Sequence, residues 1–386
     1  MSDFILPDIG DTLRYHTKWN SRKLQPYEEE LFDLWNERNI RCTIEFAVQG
    51  PVLTRFSITP ESKTSSRKIM ELTDYYRSIF HRRDIILYEH GDNIYLDVLW
   101  PQDPVWLGDL LNSSQYMESR GLPAAAGMSI GHRCVFTELT DAPAVLAAGV
   151  KGSGLTPYLH GVVMSMLLNR TPDDVELFLI SGGPTDFGLY ETLPYCHVVS
   201  DPRGSRRMLL DIAGEVAHRG HFLYENRCRS IYDYRGAMNH IILVIGEAGG
   251  LVSESREGTL TALQRIANIG PACGVHLVMG TARPGVLRSI MRYFPVRLCF
   301  RTATINDSLT MMETRGAEKL PGKGEFFYID GTGADPFLLQ SAQVSSREIR
   351  RAVNILASNF SEEEIPETSS GGEMSFWEKL FSKDIE

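Results

Sequence analysis

Two rhythms of apolar and polar positions divide the chain. From Pro26 a helical spacing runs through Leu31, Leu34 and Trp35, followed by strand patterns at Arg41–Val48 and Val52–Ile58. Ile69, Leu72, Tyr75, Tyr76 and Phe80 then predict a helix over Lys68–Phe80, before strands at Asp84–Tyr88 and Asn93–Val98. A different rhythm starts at about Arg133. Continuous apolar runs at Ala144–Ala148, Glu176–Ile180, Ile241–Ile245, Val275–Met279 and Val296–Phe300 read as strands buried on both faces. Helical patterns at Pro157–Leu168, Ser205–Arg227, Thr259–Ile269 and Gly285–Tyr293 separate most of them. This alternation predicts an α/β fold with a mainly parallel sheet covered by helices on both faces.

The organisation expected is an N-terminal arm over residues 1–25, a small α+β subdomain over 26–118, an α/β domain over 119–360, and an acidic linker with a short amphipathic tail over 361–386. In that last stretch eight acids face two lysines, a net of −6, so the other residues carry only about −4 of the total −10. A weakly acidic sum does not exclude nucleic acid, because binding depends on local basic patches. Phe376, Trp377, Leu380 and Phe381 fall on one face of a short helix and read as a docking peptide for a protein partner, or as a segment folded back on its own domain.

The six cysteines form no C-x-x-C pair and read as reduced thiols, not a disulfide or zinc framework. No apolar run reaches membrane-spanning length and residues 1–23 lack a signal-peptide core, so a cytoplasmic location without a membrane partner is expected. His218 and His221 share a helix face, but no further ligand accompanies them, and no metal site is expected.

The chemistry concentrates where the strand Ala144–Ala148 runs into Gly149-Val150-Lys151-Gly152-Ser153-Gly154-Leu155-Thr156. Against the phosphate-loop pattern G-x-x-x-x-G-K-[ST], Gly149, Gly154 and Thr156 match and Leu155 stands where lysine belongs. The glycines still allow backbone N–H groups to face a phosphate, but leucine supplies no charge to it. The bland alternative is a glycine turn with no ligand. Lys151 is either a substitute cation or an ordinary solvated lysine.

Several further segments, in order, carry a family resemblance. Gly50–Phe56 (GPVLTRF), Leu146–Thr156, Glu215–Leu223, Cys228–Tyr234, Gly274–Pro284 (GVHLVMGTARP), Asn306–Glu318 and Gly322–Tyr328 resemble stretches of the FtsK/SpoIIIE DNA translocase motors, from about Tyr27 to Leu356. The resemblance implies a RecA-like P-loop NTPase fold, duplex DNA as ligand, and assembly into a hexameric ring with ATP sites between neighbours. The departures cluster at the catalytic centre. Gly246 replaces the family's magnesium-holding Walker B aspartate, although the neighbouring Glu247 is retained. Ala282 stands at the phosphate-sensing glutamine, next to Arg283, Leu309 stands at an arginine, and Ser181-Gly182-Gly183-Pro184 replaces an aspartate-bearing stretch. A base without a positioned metal and phosphate has little to act on.

The reading is a motor homologue that has lost ATP hydrolysis, with Glu247 idle. ATP is the nucleotide the loop would take, with weak binding, and magnesium is not expected. Arg283, Arg288, Arg292, Arg297 and Arg301 are the DNA-binding candidates, and some of them have the alternative role of covering the sheet edge. Arg203, Arg206 and Arg207 read as a solvated helix start. The chain would assemble as a homo-oligomer or in a mixed ring with an active relative. The alternatives are a weak ATP-driven DNA translocase and a secretion-coupling ATPase-like module.

Overall fold

The computed structural model describes residues 4–19, 22–81, 83–100, 104–183, 185–254 and 256–360. The tail residues Phe376, Trp377, Leu380 and Phe381 lie outside these described residues.

Four antiparallel strands, β1 (Cys42–Gln49), β2 (Leu53–Pro60), β3 (Ile85–His90) and β4 (Asn93–Leu99), form a small sheet in the order β1-β2-β4-β3. One face buries Phe56, Ile58, Ile94, Leu96 and Val98 against Leu31 and Trp35 of the helix Gln25–Glu37 and Tyr76 of the helix Thr73–Ile79. These alternating positions create the period-two pattern seen in the sequence. The expected helix Lys68–Phe80 is instead two helices, Lys63–Met70 and Thr73–Ile79, broken at Glu71 and Leu72.

The other ten strands form one sheet: β5 (Pro123–Met128), β6 (Cys134–Glu138), β7 (Ala144–Ala148), β8 (Val175–Ile180), β9 (Cys196–Val199), β10 (His240–Ile245), β11 (Val275–Thr281), β12 (Val296–Phe300), β13 (Glu325–Asp330) and β14 (Phe337–Gln340). Their order is β6-β5-β14-β13-β12-β7-β11-β10-β8-β9. The run from β12 to β9 is parallel, and the run from β13 to β6 is antiparallel. Both faces of the parallel part are buried. Ala144, Leu146, Ile241, Leu243 and Ile245 pack with the helices Pro202–Glu225 and Arg256–Ile269. Val145, Ala147, Ile242 and Val244 pack on the other face with the helices Leu155–Leu167 and Ser346–Ala357. Burial on both sides explains why these strands read as unbroken apolar runs.

The antiparallel extension was not visible as strands. Pro123–Met128 (PAAAGM) has no β-branched residue, and Phe337–Gln340 is only four residues long. The stretch Gly285–Tyr293, expected as a helix, is wound in 3-10 turns over Pro284–Tyr293. The N-terminal segment lies against the large domain: Ile9 and Leu13 join its core, and Asn359 Oδ1 accepts a bond from Ile5 N at 2.7 Å. Gly50, between β1 and β2, sits where the small sheet meets the large one. A Cβ there would stand 2.9 Å from Ile130 Cα, in the turn joining β5 and β6, so only glycine allows this approach.

Candidate nucleotide site

The glycine loop Gly149–Gly154 follows β7, and the helix Leu155–Leu167 opens directly from it. Gly154 takes a left-handed conformation (φ 106°), and a Cβ there would fall 2.3 Å from Gly324 Cα. A second loop clasps the first: Lys323 N and Gly324 N donate to the carbonyls of Gly152 and Ser153 at 3.1 and 2.7 Å. Val150 N donates to Arg301 O and Gly149 N to Thr281 O, which ties the loop to the ends of β12 and β11. The loop borders a cleft of about 1470 Å³ whose far wall includes Trp100 and Arg83 near the small sheet. Lys151 and Lys323 also line it.

Leu155 lines the cleft but brings no charge to it. It is 7% exposed and packs in the core beside Gly280 of β11. β11 lies between β7 and β10, so the glycine loop and Gly246-Glu247 project from strands separated by one strand.

The residues present do not fit a magnesium ion. Thr156, whose hydroxyl the loop pattern assigns to the metal, has its Oγ1 3.1 Å from Thr185 Oγ1. Thr185 is held by a tight turn in which Gly182 and Thr185 exchange backbone hydrogen bonds of 2.9 and 3.1 Å. This turn occupies the space where an aspartate would stand. A Cβ on Gly246 would lie 2.9 Å from Thr185 Cβ and 3.1 and 3.2 Å from Gly182 N and O. Glycine at 246 is therefore a packing requirement of the fold as well as the loss of a carboxylate. Among the described residues no group of three or more His, Cys, Asp or Glu is placed to hold a metal ion.

Glu247 is already engaged. Its Oε1 accepts from Gly249 N (2.9 Å) and Thr281 Oγ1 (2.9 Å), and its Oε2 accepts from Ala282 N (2.8 Å). The carboxylate thus clamps the start of the helix Ala248–Glu254 to the end of β11. Ala282 lines the cleft without a polar group, while Arg283 is exposed and its Nε lies beside Gly249.

The five arginine candidates differ in setting. Arg288 and Arg292 are exposed on the 3-10 stretch, where Arg288 bonds Thr310 Oγ1 and Arg292 lies over the Tyr293 ring. Arg297 is half-buried and donates to the carbonyls of Phe294 and Met311 at 2.8 and 3.1 Å, pinning β12 to its neighbours. Arg301 donates to Pro321 O at 3.3 Å beside the clasping loop.

Sequence reasoning passed over Thr185, Lys323, Glu325 and Gln340, which all line the cleft. Glu325 and Gln340 are each 2% exposed, and burial pushes the Glu325 carboxyl up to about 7. Lys323 and Glu325 lie in Gly322–Tyr328, whose resemblance was noted without a role for either side chain.

A glycine loop opening a helix, set in a parallel sheet with the retained glutamate one strand removed, defines a RecA-like P-loop ATPase fold. Solved structures share it. One is the pCW3 conjugation coupling protein TcpA with ATPγS, with TM-score 0.60 at 18% identity, covering 88% of this chain and all of that one. Another is the cytoplasmic domain of the Thermomonospora curvata type VII secretion ATPase EccC, with TM-score 0.58 at 20% identity, covering 66% of this chain and 34% of that one.

The FtsK/SpoIIIE family model matches residues 107–253, so the chain carries an FtsK/SpoIIIE family domain. It is 29% identical over 327 residues to DNA translocase FtsK of Leptospira interrogans, covering 79% of this chain and 34% of that protein. It is 28% identical over 348 residues to DNA translocase SftA of Bacillus subtilis, covering 85% and 36%. With FtsK of Clostridium acetobutylicum it shares 26% over 378 residues, covering 91% and 48%. The chain thus spans about a third to a half of the length of these relatives. Among the described residues no helix is long and apolar enough to cross a membrane.

Proposed function

We propose that this chain is a non-hydrolysing homologue of the FtsK/SpoIIIE motors, which binds duplex DNA and assembles into a ring, alone or with an active relative. The observation that carries the loss of hydrolysis is the Gly182–Thr185 turn. It engages the Thr156 hydroxyl and fills the space beside Gly246, the two positions from which the family's pattern seats magnesium. Without that ion, the charge developing on a transferred phosphoryl group has no metal to neutralise it. Leu155, turned into the core, adds no charge in its place.

DNA binding is supported by the similarity to the DNA translocases FtsK and SftA and by the exposed guanidiniums of Arg283, Arg288 and Arg292. Cations of this kind neutralise phosphates without reading sequence. Arg297 belongs to the fold in this reading, since its bonds are to main-chain carbonyls.

Calorimetry of ATP with and without magnesium tests the proposal. The expected result is weak binding that magnesium does not strengthen. Tight, magnesium-dependent binding supports instead the weak ATP-driven translocase.

A further inference from the structure

The helix Ile305–Met312 carries an apolar pair open to solvent. Ile305 and Leu309 are 42% and 37% exposed, and their spacing of four puts them on one face. Leu309 stands where the resemblance places an arginine, so apolar surface replaces a charge there. Arg288, on the neighbouring stretch Pro284–Tyr293, reaches this helix and bonds Thr310 Oγ1 at 3.2 Å, next in sequence to Leu309. Arg292, on the same stretch, bonds the Tyr293 hydroxyl at 2.8 Å. Both guanidiniums are exposed, and among the described residues neither is in an ion pair. Residues 283–301 hold five arginines and no acid, so this stretch does not neutralise its own charge. An exposed apolar pair with unpaired cations beside it suits an amphipathic segment rich in acids.

The chain itself carries such a segment. Residues 361–386 hold eight acids against two lysines, and Phe376, Trp377, Leu380 and Phe381 share one face at helical spacing. The chain from Phe360 to Phe376 extends at most about 55 Å, over twice the radius of gyration of about 21 Å expected at this length, so the tail can reach this face. We propose that the tail folds back on its own domain, seats these apolar side chains on Ile305 and Leu309, and sets its carboxylates against Arg288 and Arg292. The same two arginines are proposed above to meet DNA phosphates, so the acidic tail competes with duplex DNA for them. The inference rests on the proposed DNA binding and supplies its regulation. A tail docked nine-tenths of the time lowers the apparent affinity for DNA about tenfold.

The test is fluorescence anisotropy of a labelled duplex at low salt with the full chain. The proteins are the wild type, Phe376→Ser with Trp377→Ser, Ile305→Ser with Leu309→Ser, and a variant with all four changes. Thermal melting of each variant confirms that it is folded. None of these substitutions alters net charge, so any general repulsion between tail and DNA is equal in all of them. The expected result is that either pair of changes tightens binding about tenfold and that joining them adds nothing further. Wild-type affinity in both folded pair variants overturns the docking and leaves DNA binding intact. A gain from the tail changes alone overturns the assignment of the surface. A gain seen only at high protein concentration assigns the tail to a second copy and overturns docking within the chain. No duplex binding by any of the four proteins overturns the parent reading, and this inference with it.

Discussion

Thr156 and Thr185 face each other with their hydroxyl oxygens 3.1 Å apart. This contact joins the start of the loop helix to the turn after β8, and it engages the hydroxyl that the loop pattern assigns to a metal ion. On the proposed reading, a lysine at 155 alone is not expected to bring hydrolysis. Leu155→Lys is expected to leave phosphate release at background in a coupled assay, with or without DNA. It also lowers stability, because the residue is 7% exposed and packs in the core.

Restoring the aspartate is expected to strain the fold. Gly246→Asp drives a Cβ to 2.9 Å from Thr185 Cβ, so urea denaturation should show a loss of about 1–3 kcal/mol. Thr185→Gly in the same chain removes the nearest clash and should recover part of that loss.

Glu247 is expected to matter for stability and not for turnover. Glu247→Ala leaves Gly249 N, Thr281 Oγ1 and Ala282 N without their acceptor and should cost about 1–3 kcal/mol in denaturant melts. Phosphate release by this variant should equal that of the wild type.

The buried Glu325 makes stability depend on pH. Its folded pKa of about 7 lies above the ordinary 4.5, so the folded state holds the proton more tightly than the unfolded chain. The resulting stabilisation is complete below pH 4.5 and is lost as pH rises to about 7, a change of about 3 kcal/mol. Glu325→Gln should flatten that window and melt at a higher temperature than the wild type at pH 8.

The arginines should separate into two classes. Replacing Arg288 and Arg292 with alanine is expected to weaken duplex DNA binding and to reduce the slope of log affinity against log salt by about 2, with stability unchanged. Arg297→Ala should instead lower stability, through the lost bonds to Phe294 and Met311.

What the sequence made legible follows from how each feature is encoded. The parallel core was readable because strands such as Ile241–Ile245 are buried on both faces and must be continuously apolar. The glycine loop was readable because Gly154 needs a left-handed backbone and room beside Gly324. The losses at Leu155 and Gly246 were visible as missing side chains. Their structural counterpart was hidden, because Thr185 reaches Gly246 through a turn whose geometry no residue spacing records. The buried pairing of Glu325 with Gln340 was hidden for the same reason. Fifteen positions separate the two residues, and only strand pairing sets them side by side.

The central claim is that this cleft cannot organise a metal-bound triphosphate for hydrolysis. Phosphate release from ATP and magnesium by the purified protein, with duplex DNA at low salt, tests it most directly. The account predicts a rate equal to that of Glu247→Ala, with no increase when DNA is added. A DNA-stimulated rate that disappears in Glu247→Ala contradicts it.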